Sequence, residues 1–482
     1  MISHGTIASS PDFAPYIGVA AYLLVAITVT GHALLAKRDV RAAMGWIAIA
    51  WLSPIIGGIL YYLLGINRVT RRAVKFDKFD REPGDASRAT AAPLVSPHIA
   101  ALADISFALT AEPLVADNRI ALLRGGDAAY PAMLAAIGAA RESVALASYI
   151  FRDDQVGRQF IDALIAAQAR GVAVRVLLDG FGAGYLRPRA QRHLDAAGVP
   201  VALFLHTWVP WRMPMLNMRN HKKLLIVDGA IGFTGGLNIG VENSAGPAGK
   251  LGIPHVDDVH VRIDGPAVRQ LMETFAWDWG FTTEEVLDGE IWWPRTEPAG
   301  PVFVRGIDSG PDEDIDKLEA VLGAALAQVK SRVRIVSPYF LPDQRLQFAL
   351  AQAALRGVEI DLVLPQRGDH RVMNWAMRAH LRLVTDIPAR VYFSPPPFDH
   401  AKLMTMDGEW CLVGSSNWDT RSLRLNFEFD LECYDRGLTE EVDAVIDGKI
   451  AASRRTSPAE LAAAPRWQQL RDAAARLLLP YL

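Results

Sequence analysis

"HKKLLIVDG", residues 221–229, returns as "HAKLMTMDG", residues 400–408, at an offset of 179 (400 − 221). In each copy a histidine is followed by a lysine two residues on and by Asp-Gly five beyond that: His221, Lys223, Asp228 and Gly229, then His400, Lys402, Asp407 and Gly408. The same offset carries Gly235 onto Gly414 and Asn238 onto Asn417, so the motifs occupy 221–238 and 400–417. A lone buried histidine is normally a satisfied core imidazole. With 11 histidines in the chain, chance should supply this pattern on the order of 0.01 times, so two copies in register mark a duplicated functional unit.

Residues two apart on a strand share a face, so His221 and Lys223 point together, as do His400 and Lys402. The apolar residues that follow bury each strand, and Asp-Gly closes a hairpin turn. Asp228 and Asp407 have the other parity and are expected to pin that hairpin. Gly235 and Gly414 permit a close backbone turn that returns Asn238 and Asn417 as amide donors. Two such sets facing each other would surround a phosphate with cationic and neutral donors, which suits charge spreading over its non-bridging oxygens.

Outward from the motifs the pattern is α/β. "SVALASYIF" (Ser143 to Phe151) reads as a buried strand, "QVGRQFIDALIAAQARG" as a helix ended by Gly171, and Val172 to Asp179 as the next strand. The order returns as a strand from Arg332 to Phe340, the helix "QRLQFALAQAALRG", and a strand from Val358 to Pro365. Strand–helix–strand units of this kind are parallel crossovers. Each helix closes on Arg-Gly-Val, at Arg170-Gly171-Val172 and Arg356-Gly357-Val358.

The 482 residues are 51% hydrophobic and 21% charged with net charge −3, which excludes a disordered chain and supplies no global basic field for nucleic acid. The two cysteines, Cys411 and Cys433, cannot make a disulfide framework or a zinc site and read as small core residues. The histidines His193, His206, His255, His260, His370 and His380 show no ligand spacing, and a lysine pair would repel a divalent ion. No metal and no cofactor are expected.

Tyr16 to Ala36 and Trp46 to Ile66 are runs of 21 residues without formal charge, each long enough to cross a hydrocarbon core of about 30 Å. No Lys or Arg precedes the first, so a signal peptide lacks its positive n-region. The reading is a two-span anchor over residues 1–75, with Pro54, Gly57 and Gly58 interrupting the second span and opening a re-entrant course. Arg68, Arg71, Arg72, Lys75, Lys78 and Arg81 follow the second run against Lys37, Arg38 and Arg41 between the runs, which favours a cytoplasmic catalytic region. Residues 76–100, polar and rich in Asp, Arg, Ser, Gly and Pro, read as a linker. The segments 101–300 and 301–482 each carry one motif.

These motifs resemble the HKD motifs of the phospholipase D superfamily, and the chain is similar nearly end to end to its bacterial cardiolipin synthases. "RNHKK", "FTGGLNIG", "SPYFLPD", "ALRGVEIDLVLP", "HAKLMTMDGEWCLVGSSNWDTRSLRLNFE" and the closing "LLLPYL" carry the likeness, with Trp51, Pro54, Gly57, Tyr61 and Gly65 in the second apolar run. One departure stands out: the superfamily's Gly-Ser is kept at Gly414-Ser415 but replaced by Gly235-Gly236 in the first copy.

The resemblance implies a duplicated α/β/α sandwich with pseudo-twofold symmetry and one active site between the halves. It implies a membrane-bound phosphatidyltransferase of the bacterial inner membrane that converts two phosphatidylglycerols into cardiolipin and glycerol. One neutral histidine attacks phosphorus and forms a phosphohistidine; the other, protonated, serves the leaving glycerol and then deprotonates the incoming hydroxyl. Family precedent makes His221 the nucleophile and His400 the acid. Each imidazole is expected to be oriented by a carboxylate: Glu428 fills the family's place in the second half, and Asp258, with Asp257 as its rival, in the first. "FLHTWVPWRMPMLNMRN", with Trp208, Trp211, Met213, Met215 and Met218 between Arg212 and Arg219, reads as an apolar lip, and Arg421 as a headgroup contact. The rival readings are a phospholipase D hydrolase, a phosphatidylserine synthase, a nuclease, and a membrane scaffold with a dead enzyme fold.

Overall fold

The computed structural model describes residues 14–37, 40–65, 95–184, 188–207, 218–311, 316–383 and 388–477. The linker residues 76–94, the basic flank from Arg68 to Arg81, Arg38, the lip from Trp208 to Met215 with Arg212, and most of the closing "LLLPYL" lie outside them. The chain divides into two units, Met1–Val69 with Thr207–Asn217, and Thr70–His206 with Met218–Leu482.

In the first unit, Ala14–Ala36 forms one helix. At 1.5 Å per residue it is about 34 Å long, and its Tyr16–Ala36 stretch is the one helix among the described residues long and apolar enough to cross a membrane. The second apolar run is not one continuous helix. It folds as Val40–Leu52 and Pro54–Leu60, with Ser53 extended between them (φ −152°, ψ 80°). Pro54 has no N–H to donate and its ring disfavours the helical conformation at the residue before it, so the helix stops there. Gly57 then comes so close to the preceding helix that a Cβ would lie 2.6 Å from the Ile49 carbonyl oxygen. Val29, Ala33, Trp46, Ala50 and Tyr61 form a small core. His32 Nδ1 meets the Tyr61 hydroxyl at 2.6 Å, while Ile17, Leu24, Leu35 and Ile55 face outward.

The second unit is built on one continuous sheet. Its first half supplies β1 (Val115–Arg124), β2 (Ser143–Ser148), β3 (Ala173–Asp179), β4 (Val201–Phe204), β5 (Leu224–Val227), β6 (Ile231–Gly235) and β7 (Val259–Asp264). Its second half supplies β8 (Val302–Ser309), β9 (Arg332–Val336), β10 (Glu359–Pro365), β11 (Arg390–Ser394), β12 (Leu403–Met406), β13 (Trp410–Gly414), β14 (Asn426–Tyr434) and β15 (Arg454–Thr456). The order across the sheet is β15-β11-β10-β9-β12-β13-β14-β8-β1-β7-β6-β5-β2-β3-β4. Outward from the antiparallel β1–β8 seam, both halves run through seven corresponding strands, and β15 is an extra edge strand of the second half. The crossover strands are parallel in both, β2 to β3 and β9 to β10.

Alternation decides the layers. In the first half, Val144, Leu146, Val174, Val176, Leu225 and Phe233 face one core with the helices Gly125–Ala139 and Gln155–Ala169. On the other face Arg175 pairs with Glu285, and the helix Val268–Thr283 packs there. In the second half, Val333, Ile335, Ile360, Leu362 and Met404 face the helices Lys317–Gln328 and Gln344–Leu355. Arg334, of the other parity, bonds Asp443 of the opposite helix Arg436–Ala452 at 3.0 Å.

The crossover helices have the same local grammar. Asp154 and Asp343 each cap one by accepting two backbone N–H groups. Gly171 and Gly357, at φ +91° and +90°, let the chain leave the helix. The arginine of each Arg-Gly-Val reaches the end of the preceding helix: Arg170 Nη2 donates to the Ile137 carbonyl at 3.0 Å and Arg356 Nη2 to the Leu326 carbonyl at 2.6 Å.

Candidate active site

The strands leading into the motifs cross between the halves. Arg219–Asn220 pairs with Asn426 and Phe427, and Phe398–Asp399 pairs with Val256 and Asp257. The His221 N–H donates to the Phe427 carbonyl at 2.8 Å, and the His400 N–H to the Asp257 carbonyl at 2.7 Å. Each histidine is thus sewn to the half that does not supply it.

The side chains follow the same exchange. His221 Nδ1 lies 2.9 Å from Glu428 Oε2, and His400 Nδ1 lies 2.7 Å from Asp258 Oδ2. Each acid therefore crosses to the imidazole of the other half. A carboxylate can only accept, so each ring donates through an Nδ1 proton and Nε2 is left as the acceptor nitrogen of the neutral imidazole. Glu428 is itself held by Ser415 Oγ at 2.7 Å and by Asn426 Nδ2 at 3.0 Å. Asp258 Oδ1 accepts the Val259 N–H at 2.7 Å. Asp257 instead binds Lys449 Nζ at 2.7 Å. Sheet register relates the two acids: Gly235 pairs with His260 and Gly414 with Asp430, so Asp258 and Glu428 each stand two residues before the partner of a motif glycine.

The Gly235-Gly236 departure has a steric cause. A Cβ on Gly236 would sit 2.2 Å from Asp258 Oδ1, whereas Ser415 bonds the longer Glu428 through its hydroxyl. The short acid occupies the space that a serine would need.

The lysines are buried beside the imidazoles. Lys402 Nζ lies 2.8 Å from His400 Nδ1 and 3.1 Å from Nε2, and Lys223 donates to the His221 carbonyl. Burial pushes the Lys223 and Lys402 ammonium groups below their ordinary range, and Glu428 and Asp258 oppose this. Burial, then the charges of Lys223, Lys402 and His400, holds His221 well below an ordinary histidine. Burial and Lys402 lower His400 as well, against the pull of Asp258. Burial alone would raise Asp258, but Lys402, His400 and the Val259 N–H outweigh it and leave the carboxyl depressed. These mutual influences make both imidazoles, both lysines and both acids one electrostatic cluster.

Asp228 and Asp407 lie at the hairpin turns, in the left-handed region at φ +49° and +51°. Asp228 accepts N–H groups of Arg141, Glu142 and Ser143, pinning the start of β2. Asp407 does the same for Lys330, Ser331 and Arg332 at β9 and also meets His98 Nε2 at 2.8 Å. Asn238 Oδ1 accepts the Ile150 N–H at 3.2 Å, and Asn417 Nδ2 reaches Ser422 Oγ at 3.2 Å. Asn426 and Tyr149, whose ring lies 4.8 Å from His221, are site components that the motif spacing does not reveal. Lys222, of the opposite parity, is buried against Asp278 and Asp308 and anchors the strand from behind. Among the described residues no group of three or more His, Cys, Asp and Glu is placed to hold a metal ion.

Comparison with known proteins places this geometry in a group. The family described as cardiolipin synthase, PLD-like domain, matches residues 133–279 and 322–449. The chain is 33% identical to cardiolipin synthase A of Pseudomonas aeruginosa, over 97% of this chain and 96% of that one. It is 30% identical to the major cardiolipin synthase of Bacillus subtilis, over 92% and 95%. Among solved structures, phosphatidylserine synthase of Haemophilus influenzae matches with a TM-score of 0.62 at 14% identity, over 79% of this chain and all of that one, a likeness of fold.

Proposed function

The chain belongs to the PLD-like cardiolipin synthase family, and from that premise we propose that it is a phosphatidyltransferase making cardiolipin and glycerol from two phosphatidylglycerols. The observation that carries the reading is the exchanged pair of carboxylate-held imidazoles, set with two buried lysines in one electrostatic cluster. His221 Nε2 attacks the donor phosphorus; the P–N bond forms as the bond to the glycerol oxygen breaks. His400 gives that oxygen its proton. A hydroxyl of the second phosphatidylglycerol then loses its proton to His400 and attacks phosphorus, and the P–N bond to His221 breaks.

The electrostatics suit these roles. Burial and three neighbouring cations keep His221 neutral and nucleophilic, whereas Asp258 supports the proton on His400. The incoming phosphodiester offsets the ammonium charges, which lets His400 stay protonated until the glycerol leaves. Lys223 and Lys402, with Asn238 and Asn417, hold the non-bridging oxygens. The halves 101–300 and 301–482 each supply one histidine. The N-terminal helix serves as a membrane anchor, which puts the site where its lipids are, on the cytoplasmic side of a bacterial inner membrane.

The test is product identity. Purified enzyme with phosphatidylglycerol and a chelator should yield cardiolipin and glycerol, and His221→Ala and His400→Ala should each lower the rate on the order of 1,000-fold. Phosphatidic acid as the main product would make the chain a hydrolase. Full activity in either variant would break the shared-site mechanism.

A further inference from the structure

The second half does not stop where the first does. After its closing helix Arg436–Ala452 it adds β15 and the helices Pro458–Ala462 and Arg466–Arg476, whereas the first half passes from the helix Val268–Thr283 to β8 without further strand or helix. These additions wall a cavity of about 310 Å³ together with the helix Arg371–Leu383 and the ends of β10 and β11. The duplicated reaction centre gives no account of it.

The lining is basic. Arg378, Arg382 and Arg454 stand around it, with Glu460 as the one acid. Arg454 Nη1 meets Glu460 at 2.9 Å and Arg382 Nη2 meets Asp472 at 2.7 Å, an acid that Arg471 also engages at 2.6 Å. Arg378 is exposed and pairs with no acid among the described residues. Four guanidiniums thus stand against two carboxylates. Thr456 lines the same cavity at 5% exposure, and its hydroxyl finds no hydrogen-bond partner among the described residues. A buried hydroxyl left unmatched is costly unless something bonds to it. Surplus positive charge, a spare hydroxyl and the apolar Phe393 and Leu461 suit a phosphate joined to an apolar body.

The helix Arg466–Arg476 identifies that body. Its inner face buries Asp472 and Ala475, and the Arg471 guanidinium stands 4.5 Å from the Trp375 ring and 5.3 Å from the Trp467 ring. Its outer face is apolar: Trp467, Leu470 and the capping Leu477 are 61%, 72% and 74% exposed. Arg466 and Arg476 stand at its two ends. An apolar stripe with tryptophan, framed by arginines, matches the interface of an anionic bilayer in both polarity and charge. Gln468 of the same helix lines the cavity. The cavity also lies on the edge of the sheet that carries the reaction centre. Gln366 and Phe393 mark the carboxyl ends of β10 and β11, where the Gln366 N–H donates to the Ser394 carbonyl at 2.9 Å. Leu403 pairs with Val336 at the carboxyl end of β9, and His400 lies beyond it on that edge. Three strand spacings, about 14 Å, separate β12 from β11.

We propose that this end of the second half rests on an anionic bilayer, the cavity taking the phosphate of one phospholipid headgroup and the outer face of Arg466–Arg476 entering the interface. The bilayer then runs along the edge that carries the imidazoles. This contact is separate from the apolar N-terminal helix and from the identity of the lipid that reacts.

The test reads lipid contact at position 470. Cys411 and Cys433 are buried, so a polarity-sensitive dye on Leu470→Cys labels one site of the full-length chain. The protein is held in nanodiscs of phosphatidylcholine with brominated acyl chains, to which phosphatidylserine is added. The bromines should quench the dye, and phosphatidylserine should deepen the quenching. Arg378→Gln disturbs no ion pair among the described residues. It should raise the phosphatidylserine content needed for half-maximal quenching about fivefold, the weight of one basic residue at an anionic surface. Thr456→Val should shift that content in the same direction while leaving the urea midpoint unchanged or higher, because it removes an unmatched hydroxyl. Quenching indifferent to both variants overturns the headgroup role of the cavity. Displacement of the lipid by inorganic phosphate at matched ionic strength would assign the cavity to a soluble anion and overturn it too. A dye that the bromines never quench sinks the bilayer contact, and its shielding from aqueous iodide would then assign the face to a second copy of the chain.

Discussion

At the residue scale, Asp258 supports the protonated form of His400. Burial and Lys402 push that imidazole's pKa down, and Asp258 pushes it up. Asp258→Asn removes the upward push and can offer an amide N–H to Nδ1, reversing the tautomer. The pKa of His400 then falls further, so the acid form is lost at lower pH than before. The alkaline limb of the pH profile of kcat should move to lower pH, with kcat reduced on the order of 100-fold. A reduced rate with an unmoved limb would make Asp258 a packing residue. The histidines and the lysines are legible in the linear chain, because motif spacing and strand parity are local, whereas Glu428 and Asp258 rest on the family likeness, and parity alone leaves Asp257 open beside Asp258. Nor can the linear chain show that Ser415 and Asn426 hold Glu428. Their roles exist only once β13 and β14 lie side by side.

At the scale of elements, Asp228 and Asp407 bond the backbone at the turns they were expected to pin. Each carboxylate ties a hairpin turn to the first residues of the neighbouring crossover strand. Burial would raise Asp407, but the Ser331 hydroxyl and the N–H groups of Arg332, Lys330 and Ser331 hold it down at about 2. A depressed carboxyl contributes stability that is full above its unfolded pKa, about 3.9, and is lost as pH falls toward the folded value. Asp407→Ala should therefore cost roughly 2–3 kcal/mol at neutral pH, read as a lower urea midpoint with unchanged slope, and the gap from the unaltered protein should close between pH 4 and pH 2. A gap independent of pH would contradict the hydrogen-bond account. The same scale explains the broken second apolar run: Pro54, one of the residues expected to interrupt it, divides it at Ser53.

At the scale of the whole molecule, the halves depend on each other through exchanged acids. Gly236 belongs to the first half, yet a Cβ there strikes Asp258, which serves the histidine of the second. Gly236→Ser restores the Gly-Ser of the other copy and should displace Asp258, removing the orienting partner of His400. Turnover of phosphatidylglycerol should fall on the order of 100-fold. Release of p-nitrophenol from a p-nitrophenyl phosphodiester, whose leaving group needs no acid, should fall far less. Equal losses on both substrates would place the damage at His221 or in the fold.

From its own letters the chain determined two His-Lys motifs, the crossovers that carry them, the apolar N-terminus and the small residue at 236. All of these are written in spacing and side-chain type over short stretches. Tertiary structure alone decided that Glu428 meets His221 and that Asp258 and not Asp257 meets His400. Those pairings join residues some 140 to 210 positions apart, and they follow from how two similar half-sheets meet at β1 and β8. Local periodicity carries no record of that seam, because either half alone satisfies its own pattern without it.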